Sequence, residues 1–258
     1  MHAGGPLPVV ARPPQGLRAE SCALFLDLDG TLLELAPHPD AVRVDAPLLD
    51  LLRALAQRSG GALALISGRR IATLDTLLQP LKLPASGLHG FERRDAAGAA
   101  VQRELPDPRA LEEARRLLRE LVAKEPRLVI EDKGVALALH YRQVPQMESQ
   151  AVSAVTAIAS QVRGGLRVQR GRMVIELAPG AVSKATAVAE FTSEAPFKGR
   201  LPVYVGDDCT DEPAFAWVNA AGGISVAVDV TPPTNARTRL GSVAEARSWL
   251  RGLLAAAE

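Results

Sequence analysis

Four short stretches of this chain, residues 23–28, 62–66, 201–205 and 224–228, are apolar at almost every position. A strand with one wet face alternates apolar and polar residues. A run without alternation is buried on both faces, as in a parallel sheet sandwiched by helices. The intervening segments fit that reading. Leu48, Leu49, Leu52, Leu55 and Ala56 fall at helical spacing behind Asp45 and Pro47, and Gly60-Gly61 ends the pattern. Further helices are expected over 71–78, 184–191, 211–220 and 244–254, with a third short strand at 85–88. This β-α-β-α alternation predicts an α/β fold, a Rossmann-like doubly wound core with a parallel sheet.

The middle of the chain departs from the alternation. Leu111, Ala114, Leu117, Leu118, Leu121 and Val122 form one helical stripe, and Met147, Ala151, Val155, Ile158 and Val162 form a second. Each is followed by two short strands (128–131 and 135–140, then 167–169 and 173–177). An α-β-β-α-β-β order implies helices on one side of an antiparallel sheet. The expected organisation is therefore a core domain of 21–104 and 181–258, an inserted α+β cap of 105–180, and a flexible leader of 1–20 rich in Pro, Gly and Ala. Thirty basic and 29 acidic side chains leave a net charge of +1 with 3% aromatics, which excludes a nucleic-acid surface. No apolar run has membrane-spanning length. Two cysteines, Cys22 and Cys209, make no disulfide framework, so a cytoplasmic protein is expected.

Open α/β sheets bind ligands beyond the carboxyl ends of their strands. Those ends carry Asp27-Leu28-Asp29-Gly30-Thr31-Leu32, Ser67-Gly68-Arg69, and Gly206-Asp207-Asp208-Cys209-Thr210-Asp211-Glu212, while Lys184 opens a helix. Lysine is scarce here, with five against a heavy use of arginine, so Lys184 suggests that a compact point charge is wanted. Clustered carboxylates repel one another, and a hard cation resolves the conflict. Mg²⁺ takes one or two carboxylates together with waters and phosphate oxygens. Asp27 and Asp207 are its natural side-chain ligands. Ser67 and Lys184 are suited to a phosphoryl group, Asp27 to nucleophilic attack on phosphorus, and Asp29 to acid–base catalysis.

These four motifs, in this order, resemble those of haloacid-dehalogenase-like phosphatases, over roughly residues 24–228. Finer features are similar to the trehalose-6-phosphate phosphatase family: Gly87-Leu88-His89-Gly90 with Glu92, Glu131-Asp132-Lys133-Gly134, His140-Tyr141-Arg142, Gly171 through Glu176, and Phe215 after the last motif. Ala185 stands where that family usually has glycine. The resemblance implies Mg²⁺-dependent hydrolysis of trehalose 6-phosphate to trehalose and phosphate, through an aspartyl-phosphate, and functional coupling to a trehalose-phosphate synthase. It implies Asp27, Asp29, Ser67 and Lys184 as catalytic residues. The metal shell would be Asp27, Asp29 through its backbone carbonyl, Asp207 and Asp208, with Thr31 and Asp211 behind it. Substrate would meet Gly68, Arg69, His89, Gly90, Glu131, Lys133, Arg142 and Glu176. His89 reads as a loop histidine rather than an acid or base, since Asp29 fills that role.

Period-2 alternation in the cap places Met173, Ile175 and Leu177 on one strand face, toward the cap helices, and Arg172, Val174 and Glu176 on the other. Alternatives stay open at this point: another sugar phosphatase, a phosphomutase, or a catalytically silent sugar-phosphate sensor.

Overall fold

The computed structural model describes residues 12–36, 42–101, 103, 105–162, 165–171, 173–180, 182–230 and 233–255. In chain order the first elements are β1 (Cys22–Leu26), α1 (Ala46–Arg58), β2 (Leu63–Ile66), α2 (Ile71–Leu77), β3 (Ala85–Gly87), β4 (Glu92–Arg94) and β5 (Ala100–Val101). Then come α3 (Pro108–Lys124), β6 (Val129–Asp132), β7 (Leu137–His140), α4 (Glu148–Gln161), β8 (Leu166–Gly171) and β9 (Val174–Pro179). The last are α5 (Lys184–Thr192), β10 (Leu201–Gly206), α6 (Glu212–Ala220), β11 (Ile224–Val228), β12 (Thr238–Leu240) and α7 (Val243–Gly252). The chain divides into two compact units, one from the segments before residue 103 and after residue 182, the other from residues 103–182.

The first unit is built on an eight-stranded sheet of order β12-β11-β10-β1-β2-β3-β4-β5. All pairs from β12 through β3 are parallel, and β4 and β5 add an antiparallel edge. The unbroken apolar runs have the expected cause. Along β1, Cys22, Leu24 and Leu26 enter a core shared with Leu48, Leu52 and Leu55 of α1 and Leu250 of α7. Ala23 and Phe25 enter a second core on the opposite face, with Phe191 of α5 and Phe215 and Val218 of α6. Local signals set the helix starts. The Asp45 carboxylate accepts from Leu48 N at 3.0 Å at the head of α1, and Ser183 and Thr186 form a reciprocal capping box on α5.

Part of the expected leader is not loose. Pro14 O accepts from Trp249 Nε1 of α7 at 3.1 Å, and Ala19 N bonds to Leu253 O, just past α7, at 3.1 Å, so Pro14 and Ala19 are both tied to the C-terminal helix and its end. The apolar contact of Ala19 and Leu17 with the core outweighs their Pro- and Gly-rich setting. Residues 1–11 lie outside the described residues. Cys22 is buried and Cys209 exposed, and neither is in a disulfide. No helix among the described residues is long and apolar enough to cross a membrane.

The second unit is an antiparallel sheet of order β6-β7-β9-β8. One face packs Leu137, Leu139, Ile175 and Leu177 against Ala114 and Leu118 of α3 and Val155 and Ile158 of α4. Across the other face runs the register row Glu131, Ala138, Glu176, Gln169. Ile175 and Leu177 thus lie where alternation puts them, but Met173 does not. It sits in the β8–β9 turn with φ +61° and is 37% exposed. The turn ends the alternation one residue before β9 begins, so the side chain leaves the sheet face. Arg172, assigned to the opposite face by the same alternation, lies outside the described residues.

Candidate active site at the carboxyl edge of the parallel sheet

Register brings three loops to one edge. Leu26 is level with Val205 on one side and Leu65 on the other. The chain therefore leaves the sheet as Asp27 after β1, as Ser67 after β2 and as Asp207 after β10. Two glycines make room for carboxylates there. Gly30 turns back with φ +83°, and a Cβ on it would overlap the Asp207 carboxylate. A Cβ on Gly206 would overlap Asp211 in the same way. Gly30→Ala is expected to cost about 1–2 kcal/mol for the left-handed backbone alone and to displace Asp207 besides. A denaturant titration beside a metal titration checks it: the variant should lose both unfolding midpoint and metal affinity.

Asp211 is the hub of the edge. It is fully buried, and its Oδ2 accepts from Asp207 N at 3.0 Å and Asp208 N at 2.9 Å. Its Oδ1 accepts from Lys184 Nζ at 2.7 Å and from the Tyr204 hydroxyl at 2.6 Å. Lys184 Nζ also lies 3.0 Å from Asp27 Oδ1. Thr31 Oγ1 stands 3.1 Å from Asp207 Oδ1 and 3.4 Å from Asp27 Oδ2, so its single proton serves one of them at a time.

Burial dominates the electrostatics. It raises the Asp27 carboxyl above the ordinary carboxylate range against the pull of Lys184, with Asp211 and Asp29 adding to the rise. Burial followed by Asp27 and Asp211 raises Asp207 in the same direction. For Lys184, burial favours the neutral amine, but Asp211 and Asp27 overcome it and hold the ammonium. Burial and Asp211 keep the Tyr204 phenol protonated, hence a donor.

Asp27, Asp207 and Asp211 each offer an oxygen, all within 4.8 Å of one another. One lysine does not balance them, and an all-oxygen, carboxylate-rich set matches a hard divalent cation. Both Asp211 oxygens are already occupied by donors, so the free coordinating capacity belongs to Asp27 and Asp207. The Asp208 carboxylate instead accepts from Cys209 N at 2.6 Å, capping the 3-10 turn Cys209–Asp211, and lies outside that converging set.

The remaining expected residues divide between two places. Asp29 is gripped by Arg69 through two parallel bonds, Nε to Oδ2 at 2.6 Å and Nη2 to Oδ1 at 2.7 Å. Ser67 is buried and accepts from Arg69 N at 3.1 Å, which leaves its own hydrogen to donate. His89 has φ +54°, donates its backbone N–H to Ser67 O at 3.0 Å, and its ring lies where a Gly68 Cβ would be. Gly90 abuts Ser183 O, just ahead of Lys184. The other four residues are in the second unit. His140 Nε2 and Glu131 Oε2 are 2.8 Å apart, and Lys133 Nζ donates to Glu176 Oε2 at 2.7 Å. Ala138, small and level with both glutamates, leaves them space. Burial works against the charge on Glu131, but His140 and Lys133 bring its carboxyl below the usual range. Arg142 is half-buried just beyond β7.

A family profile described as trehalose-phosphatase matches residues 25–244. The chain belongs to the trehalose-phosphatase family. It is 46% identical over 228 residues to trehalose-6-phosphate phosphatase of Escherichia coli, covering 88% of this chain and 85% of that one. It is 41% identical over 242 residues to a probable trehalose-phosphate phosphatase of Sinorhizobium fredii, covering 92% and 88%. The solved C-terminal domain of the Candida albicans trehalose-6-phosphate phosphatase shares the fold with a TM-score of 0.80 at 23% identity, covering 91% and 92%. As a member of the trehalose-phosphatase family the chain is a phosphoric monoester hydrolase.

One buried polar residue at this edge, Tyr204, escaped sequence reasoning because it lies inside an apolar strand and reads as core. The available signal was a hydroxyl-bearing ring in an otherwise aliphatic run, since a buried phenol needs a partner.

Proposed function

We propose that this chain hydrolyses trehalose 6-phosphate to trehalose and inorganic phosphate through an aspartyl-phosphate on Asp27, with Mg²⁺ as cofactor. The observation that carries the reading is buried Asp27, 3.0 Å from the Lys184 ammonium and clustered with Asp207. Asp27, Asp207 and the Asp29 backbone carbonyl would hold the ion, with Asp208 and Asp211 orienting that shell. Bound there, Mg²⁺ supplies positive charge that keeps Asp27 ionised and offsets charge on the phosphoryl oxygens.

Asp27 attacks phosphorus, the bond from phosphorus to the sugar oxygen breaks, and the leaving oxygen takes a proton from Asp29. Asp29 then removes a proton from water, which attacks the same phosphorus and breaks its bond to Asp27. Lys184 and the Ser67 hydroxyl stabilise the transferring group. Arg69 grips Asp29 through two bonds, and an entering phosphate would offer that guanidinium another partner, so that Asp29 could turn to proton transfer. Gly68, His89 and Gly90 shape the loops beside Ser67 and Lys184. In the cap, Glu131, Lys133, Glu176 and Arg142 offer donors and acceptors suited to a hydroxyl-rich disaccharide. A trehalose-phosphate synthase is then the enzyme that supplies the substrate.

Phosphate release should be measured from trehalose 6-phosphate and from glucose 6-phosphate, with Mg²⁺ and after chelation. The expected outcome is release from the disaccharide phosphate, with glucose 6-phosphate turned over far more slowly and chelation stopping both. Equal turnover of the two would make this a broader sugar phosphatase. Activity that survives chelation would remove the metal assignment.

A further inference from the structure

Tyr204 lies on β10, fully buried, in a run where an aliphatic side chain or phenylalanine would serve packing as well. Its ring meets Phe215 edge-on, with centroids 5.6 Å apart at 83°, a contact that needs no hydroxyl. The hydroxyl does something else. It shares Asp211 Oδ1 with Lys184 Nζ, at 2.6 and 2.7 Å. The other Asp211 oxygen is taken by the backbone of Asp207 and Asp208. Four donors thus converge on one carboxylate, and only one of them, Lys184, also reaches Asp27.

Shared acceptors weaken each bond they take. With Tyr204 donating to Oδ1, Asp211 holds Lys184 less tightly than it would alone, and the ammonium keeps its pull toward Asp27. Without the hydroxyl, Asp211 would satisfy its charge by drawing Lys184 closer, away from the site of attack. We propose that Tyr204 is a positioning residue for phosphoryl transfer, keeping Lys184 divided between Asp211 and Asp27. This inference rests on the proposed roles of Asp27 and Lys184.

Tyr204→Phe preserves the ring packing and removes only the hydroxyl. Three readouts are needed: steady-state kinetics per folded molecule, inhibition by inorganic phosphate, and the thermal unfolding midpoint. The expected result is a kcat lower by about tenfold, the size of a hydrogen bond to a charged group, with KM changed much less. Inorganic phosphate should inhibit several-fold more weakly, because Lys184 has withdrawn. A change in unfolding midpoint alone, with kcat per folded molecule and phosphate inhibition as in the parent, would overturn the proposal and leave Tyr204 a packing residue. Asp27→Asn, run beside it, separates the two failures. If Asp27→Asn still turns over fully, the underlying mechanism fails. If it is inactive while Tyr204→Phe behaves as the parent, only this inference fails.

Discussion

Asp27→Asn is expected to lower phosphate release by on the order of 10⁴ or more, the scale at which loss of a covalent nucleophile is felt, while leaving the fold intact. Asparagine has nearly the same shape and cannot form the acyl phosphate. The stability side follows from the electrostatics. Burial already disfavours the Asp27 carboxylate, with Asp211 and Asp29 adding to the repulsion. Substitution removes one charge from a crowded set, and Lys184 keeps Asp211 at 2.7 Å as its partner. The metal-free variant should therefore unfold at a temperature equal to or above that of the parent. Kinetics beside thermal unfolding check both parts, and a phosphoryl-mimicking fluoride complex should label the parent and not the variant. Substantial turnover by the variant would displace Asp27 as nucleophile.

Lys184→Ala should be as damaging to activity and far more damaging to stability. The ammonium is 2% exposed and paired with two buried carboxylates. Removing one partner of a buried ion pair costs about 3–5 kcal/mol, or roughly 10 °C in a chain of this size. The pH dependence has a definite sign. Lys184 has its folded pKa raised, so its contribution is present throughout the neutral range and is lost only at high pH. Asp27 and Asp207 also have raised folded pKa values. For a carboxyl this means stability present below the ordinary range of about 4 and lost as pH rises. Without the lysine, protonating those carboxyls is the remaining relief. The deficit of the metal-free variant should shrink as pH is lowered from about 8 toward 5. Unfolding midpoints across that range test it, and a deficit that grows on acidification would contradict the charge arrangement.

Much of this architecture was legible because burial on both faces writes itself into composition. β1, β2, β10 and β11 are read directly from their apolar runs, and α1 from its leucine spacing behind Asp45. β4 and β12 were not. Glu92–Arg94 and Thr238–Leu240 are three residues each and carry charge, so no period emerges. The side chains of β4 answer to distant partners: the Arg94 guanidinium grips Asp75 at 2.7 and 2.8 Å, and Arg93 pairs with Glu190 of α5 and with Glu194 just beyond that helix. The site divides similarly. Asp27, Ser67, Lys184 and Asp207 announce themselves by standing where strands end or helices begin. The grip of Arg69 on Asp29 spans 40 residues of sequence and has no local signature. Tyr204 was hidden by its own usefulness to the core.

The register of β1 has a consequence for how the molecule is made. Cys22 pairs with Leu201 and Leu26 with Val205, so the middle strand of the larger sheet gains its β10 neighbour only after some four-fifths of the chain exists. The antiparallel unit, by contrast, is drawn from one continuous stretch, and its four strands pair with one another. During synthesis it can complete its contacts first. Until then, the apolar β1 waits with an open edge, and a nascent chain stalled before residue 201 would expose the surface most prone to aggregation.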